Sequence, residues 1–131
     1  MKILMIRRAE LFSPHAVEHD RAILEAVALR LSQRGHTVSQ VVETALVASL
    51  TADRPDFIFS MARLPESLRL LQASGIKIIN APRAVAQSSR RRLQELIVSL
   101  HIPYPMGEGR HGYWLKLDGV GADGIDLAHD G

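Results

Sequence analysis

The chain has 131 residues, the length of one ordinary domain, and a formal charge of +2 from 16 basic and 14 acidic side chains. At 47% apolar it is too hydrophobic for a disordered chain, and with no cysteine it holds no disulfide framework, thiolate nucleophile or Cys-ligated metal. No apolar run approaches the roughly 20 residues that span a bilayer, and at 5% aromatic residues a base-stacking surface has little to work with, so neither membrane nor nucleic acid is an expected partner and a cytoplasmic location fits best.

Lys2 to Arg7 is a continuous aliphatic run, as in a strand covered on both faces and too short for a signal peptide. Ser13-Pro14 is a helix start, with a hydroxyl cap and proline at the first helical position. Ile23, Leu24, Val27, Ala28 and Leu31 follow at helical spacing, and Gly35 supplies a left-handed stop. Thr37 to Val42 reads as a second strand, and Thr44 to Leu50 as either a short helix or an apolar loop. After the turn Arg54-Pro55-Asp56, Phe57-Ile58-Phe59 is a third buried strand. Pro65 opens a helix carrying Leu68, Leu70 and Leu71, closed by Gly75, and Ile76 to Ile79 is a fourth strand. A last helix, from about Ser89 to His101, carries Leu93, Leu96, Ile97 and Leu100 as a stripe, and the two prolines of Ile102-Pro103-Tyr104-Pro105 make the chain extended beyond it.

Strands alternating with helices at this spacing predict right-handed βαβ units in an α/β fold with a mostly parallel sheet of about four strands. Ligands of such sheets sit outside the carboxyl ends of the strands. Arg7 and Arg8 follow the first strand, Ser60 to Arg63 the third and Asn80 the fourth. There is no GxGxxG after the first strand and no GxxxxGK[ST], which argues against an ordinary dinucleotide or P-loop site. His15 and His19, four apart, are either a pair of metal ligands or two polar residues on a solvated turn, and no HExxH pattern supports the metal.

Two features break the ordinary pattern. Arg90-Arg91-Arg92 places three cations in the first turn of the last helix, where the partial positive charge of the helix end makes each exposed one cost about 0.3–1 kcal/mol. Either an anion meets free N–H groups and guanidiniums there, or the long side chains bend back into solvent. Seven of the nine glycines lie in the last 25 residues, and residues 1–106 carry a net +5 against −3 for the remainder. The first part reads as a self-contained domain and the Gly-rich end as something else.

Lys77-Ile78-Ile79-Asn80-Ala81-Pro82-Arg83-Ala84-Val85, the basic helix start, and His101-Ile102-Pro103-Tyr104-Pro105 together resemble the ATP-grasp superfamily, ligases of the glutathione synthetase and D-alanine–D-alanine ligase type. The resemblance implies a Rossmann-like pre-ATP-grasp domain over residues 1–105. Residues 106–131 then form a Gly-rich C-terminal extension that starts a nucleotide-binding domain. It implies ATP and Mg²⁺ as cofactors of the complete enzyme, which activates a carboxylate as an acyl phosphate for attack by an amine. Arg90 and Arg92 stand where the family has a Lys, and Lys116, in Tyr113-Trp114-Leu115-Lys116, matches the family's next nucleotide-facing Lys, so these three are the cofactor-binding candidates. Arg7, Arg8, Arg63 and Asn80 are the substrate-binding candidates, for a small carboxylate.

Asp118, Asp123 and Asp126 make the glycine-rich stretch from Leu117 to Gly124 a poor phosphate cradle, and no EF-hand spacing is present, so no metal ligand and no catalytic residue is assigned. Complete superfamily members are much longer. The expectation is therefore the N-terminal, substrate-side domain of a ligase-like protein, inactive in ligation and without tight ATP binding on its own, with the remaining ATP-grasp domains as partners. The alternative is a stand-alone α/β domain that binds a small anionic ligand or a partner chain. A flavodoxin-like sensory or sugar-phosphate-binding domain is a third reading. The apolar stretch Ala45 to Leu50 is a candidate homodimer interface.

Overall fold

The structure is a computed structural model that describes residues 1–10 and 14–103 and, as backbone, two strands at 113–116 and 125–128. Strands β1 (Lys2–Arg7), β2 (Thr37–Val42), β3 (Phe57–Ser60) and β4 (Lys77–Ile79) form one parallel sheet in the order β2-β1-β3-β4. The crossovers carry helices α1 (Val17–Gln33), α2 (Leu46–Ala52) and α3 (Pro65–Ala73), and α4 (Pro82–Gln87) and α5 (Arg90–Ser99) follow β4. This is the Rossmann-like α/β architecture that the alternating pattern predicts. Among the described residues no helix is long and apolar enough to cross a membrane.

β1 lies inside the sheet because every one of its central side chains is apolar. Leu4 and Ile6 face one side with Leu46 of α2, Ile58 of β3 and Leu71 of α3, while Ile3 and Met5 face the other with Leu24 of α1. The period of two along the strand thus feeds two cores, α1 on one face and α2 with α3 on the other. Each fully buried aliphatic side chain contributes about 1.5–3 kcal/mol relative to exposure, and Met5, Ile6, Leu24, Leu46, Ile58 and Leu71 are all less than 2% exposed.

Local punctuation decides where the helices stop. α1 ends in a Schellman motif: Gly35 sits at φ 90°, its N–H donates to the Ser32 carbonyl, and the His36 N–H donates to the Leu31 carbonyl. α5 ends the same way without a glycine. His101 takes φ 54°, its N–H reaching Val98 and that of Ile102 reaching Ile97, before Pro103 forbids further helix.

Several boundaries differ from the sequence reading. Pro14 begins a 3₁₀ turn, Pro14–Ala16, and not the α-helix itself, while its expected cap, Ser13, lies outside the described residues. The sequence pattern does not mark α4, yet Pro82 at its first turn followed by Ala84, Val85 and Ala86 suits a short helix. The segment after β2 resolves into a 3₁₀ turn, Glu43–Ala45, and then α2. Leu46 there is spent in the core, leaving Val47 as the large apolar residue exposed in the candidate interface, with Ala45 and Ala48 beside it. The α5 stripe is not core: Leu93 and Leu100 are 45% and 64% exposed and only Leu96 and Ile97 are half-buried. Ile23 of α1 is likewise exposed.

Tyr113–Lys116 is a strand as expected, here β5, paired antiparallel with β6 (Ile125–Ala128), which the sequence reading did not foresee. The remainder of the Gly-rich extension, with Asp118 and Asp123, and the Tyr104-Pro105 corner lie outside the described residues.

Candidate functional site

In this topology the chain leaves β1 toward β2 on one side and returns to β3 on the other. The carboxyl ends of β1 and β3 therefore flank a switch point, where the loops diverge and open a crevice. Two adjoining clefts that share Arg8 open along this edge, one toward β2 and α1 and one toward β3 and β4. One, of about 380 Å³, is lined by Arg7, Arg8, Glu10, Asp20 and Thr44 among others. The second, of about 410 Å³, is lined by Arg8, Ser60, Arg63, Asn80 and Ser88 among others. Both volumes fall within the usual range for small-molecule sites.

The crevice walls are held by charges. Arg8 gives a two-pronged bond to Asp20 in the first turns of α1, Nε to Oδ2 at 2.6 Å and Nη2 to Oδ1 at 2.9 Å, with Asp20 buried. Such a forked pair fixes the orientation of both groups, and the carboxylate also favours the positive end of the helix dipole. Glu43, at the carboxyl end of β2 and 3% exposed, is the second anchor. Its Oε1 accepts the Ala9 N–H at 2.7 Å, and its Oε2 accepts the N–H groups of Arg63 at 2.9 Å and Leu64 at 3.0 Å. One carboxylate thereby ties the loops after β1, β2 and β3 together and supplies the negative charge that the start of α3 favours. The Met61 N–H donates to the Ile6 carbonyl, and Asn80 Nδ2 donates to the Ser60 carbonyl at 2.7 Å, closing the same edge across β1, β3 and β4.

Of the substrate-binding candidates, Arg7, Arg8, Arg63 and Asn80 all lie at this edge. They hold different states. Arg8 is spent on Asp20, and Asn80 is partly spent on Ser60. The Arg63 side chain is exposed at the second cleft. Arg7 lines the first cleft with a buried Nε that finds no hydrogen-bond partner among the described residues. A buried donor left without a partner costs about 1–3 kcal/mol.

Of the cofactor-binding candidates, Arg90 and Arg92 line neither cleft. Arg92 donates to Gln87 Oε1 at the end of α4 at 2.7 Å and to Glu95 Oε2 one turn along α5 at 3.2 Å, and its N–H donates to the Ser89 cap. Arg90 opens the same helix, exposed, and Lys116 ends β5, its side chain outside the described part. Among the described residues no group of three or more His, Asp or Glu comes together that would hold a metal ion, and His15 and His19 fall on a 3₁₀ turn and on α1, not on one helix. The described residues therefore do not fit an ATP–Mg²⁺ site. The sequence reading missed Glu43 and Asp20: a lone acid after a strand and one acid among several on a helix carry no motif, and only the convergence of loops reveals them.

Fold and site together define a Rossmann-like α/β domain with a charged crevice at the switch point of its sheet. No family model and no solved structure matches the chain. It is similar to the formate-dependent phosphoribosylglycinamide formyltransferase of Solidesulfovibrio magneticus, with 27% identity over 136 aligned positions that cover 92% of this chain and 35% of that protein. The chain thus spans about a third of the length of the curated relative it matches.

Proposed function

We propose that this chain acts as the N-terminal, substrate-side domain of an ATP-grasp carboxylate–amine ligase-like protein and does not ligate by itself. The observation that carries this reading is the carboxyl edge of the sheet, where two adjoining small-molecule-sized clefts that share Arg8 are lined by Arg7 on one side and by Arg63 and Asn80 on the other. Support comes from the distant similarity to phosphoribosylglycinamide formyltransferase, an ATP-grasp enzyme, along 92% of the chain, and from the Asn80-Ala81-Pro82 and Ile102-Pro103 corners.

The domain's share of the work is binding and orientation. Glu43 and the Arg8–Asp20 pair hold three loops in one geometry, so a bound carboxylate meets preformed donors instead of ordering them on arrival. In a complete enzyme of this type ATP and Mg²⁺ would supply the activation of the carboxylate, and the described residues would hold neither. In the cell the domain works in the cytoplasm, joined to the remaining ATP-grasp domains.

Calorimetric titration tests the reading. The 131-residue chain is expected to give negligible heat with ATP and Mg²⁺, and a chain extended through the remaining ATP-grasp domains to give a clear isotherm. Tight, Mg²⁺-dependent ATP binding by the 131-residue chain overturns it.

A further inference from the structure

The two arginines at the end of β1 are neighbours in sequence and opposites in state. Arg8 has both a planar bidentate partner and a buried counter-charge in Asp20. Among the described residues Arg7 has neither: its Nε is buried without an acceptor, and the cleft it lines is open to small molecules. A guanidinium cannot shed its proton to relieve this, so Arg7 remains a cation that lines the cleft, with its buried Nε unused among the described residues.

We infer that Arg7 is the oxyanion receptor of this domain, taking one carboxylate or phosphate group in the cleft between the end of β1 and α1, with Arg8 acting as the wall that shapes it. This rests on the crevice being the substrate site. The charge of the lining narrows the ligand class. Arg7 and Arg8 are offset by Asp20 and by the exposed Glu10, so the formal charge of these four is zero. A ligand presenting a single oxyanion is accommodated, whereas a polyphosphate meets, among the described residues, one unspent cation and an acid beside it. The planar fork of Arg7 matches either carboxylate or phosphate oxygens.

Thermal denaturation of the 131-residue chain, at constant ionic strength, with acetate, glycine, inorganic phosphate or tripolyphosphate tests this. The melting temperature is expected to rise with a simple carboxylate or with phosphate, the stronger response naming the ligand class, and to rise less with tripolyphosphate at equal concentration. Arg7→Gln is expected to weaken the apparent affinity about tenfold or more, the loss of a charge-assisted hydrogen bond, and Arg7→Lys, which keeps the charge and loses Nε, to weaken it similarly. Without ligand, Arg7→Gln is expected to melt no lower than the parent, since the unpartnered donor contributes nothing to the fold. Arg34→Gln, which removes one exposed cation at the far end of α1 and leaves the cleft lining intact, is expected to hold affinity within about threefold.

The inference is overturned if the parent responds to neither carboxylate nor phosphate, or responds best to tripolyphosphate. It is overturned if Arg7→Gln retains full response, or melts well below the parent without ligand. A response abolished by Arg63→Gln and untouched by Arg7→Gln overturns it while leaving the domain-level reading, which the ATP titration judges, intact.

Discussion

Asp20 and Glu43 are acids at 8% and 3% exposure in a small domain, and each is retained because every oxygen it buries has a donor. Glu43→Gln keeps the shape but replaces one accepting oxygen with an NH₂ aimed at backbone donors. It is expected to destabilise the fold by about 2–3 kcal/mol in urea denaturation, because hydrogen bonds to a charged group are the strong ones and a buried donor is left unmade. A cost within about 0.5 kcal/mol shows that the three loops do not depend on it.

The surface pair Lys2–Asp53 behaves differently. The hydrogen bond from Lys2 Nζ to Asp53 Oδ1 at 2.8 Å and the Asp53 charge, with a smaller part from Asp56, raise Lys2 above its ordinary 10.5. A pKa raised by folding gives stability that is fully present below pH 10.5 and is lost as the pH climbs through the folded value. Both side chains are more than half exposed, so the effect is small. Denaturation midpoints from about pH 9 to about pH 12 are expected to fall more in the parent than in Asp53→Asn.

At the scale of elements, α5 stands apart. It begins with three cations, buries no residue fully and ends on a non-glycine residue in the left-handed region. Ser89 caps it through the Arg92 N–H at 3.1 Å, and Arg92 pairs with Glu95 one turn on, so local bonds and a half-buried Leu96 and Ile97 hold it. His101→Gly keeps the Schellman geometry and removes the Cβ strain at φ 54°; it is expected to raise stability by about 1 kcal/mol in thermal or chemical denaturation. An equal loss indicates that the His101 side chain, not the backbone, closes the helix.

Across the whole molecule, stability is concentrated where β1 meets both cores. Leu24→Ala, at a fully buried position on α1, is expected to cost about 2–5 kcal/mol, while Leu93→Ala on α5 stays within about 0.5 kcal/mol. Amide hydrogen exchange is expected to follow the same order, slowest in β1 and β3 and fastest in α5, since α5 opens without disturbing either core. Equal protection in α5 and β1 contradicts this division. The same concentration serves the crevice: the strand ends that present Arg7, Arg8 and Ser60 are continuous with the most deeply buried strands.

Much of this is legible along the chain. Continuous aliphatic runs for β1 and β3, helical spacing for α1 and α3, and glycine or proline at their ends specify the order of elements, and the alternation alone yields a parallel α/β sheet, because local periodicity is set by the backbone repeat. The carboxyl-edge residues Arg7, Arg8, Arg63 and Asn80 follow from that order by the geometry of βαβ units. Their states do not. Which arginine is spent and which is open depends on Asp20, 12 residues on from Arg8, and the loop geometry depends on Glu43, 34 residues on from Ala9. The α5 stripe shows the same limit, since its periodicity reads as a core face while burial depends on what packs against it. Hydrophobic pattern and turn chemistry act between neighbours and so are written locally; desolvation and ion pairing act between residues that only the closed sheet brings within 3 Å, and these decide the site.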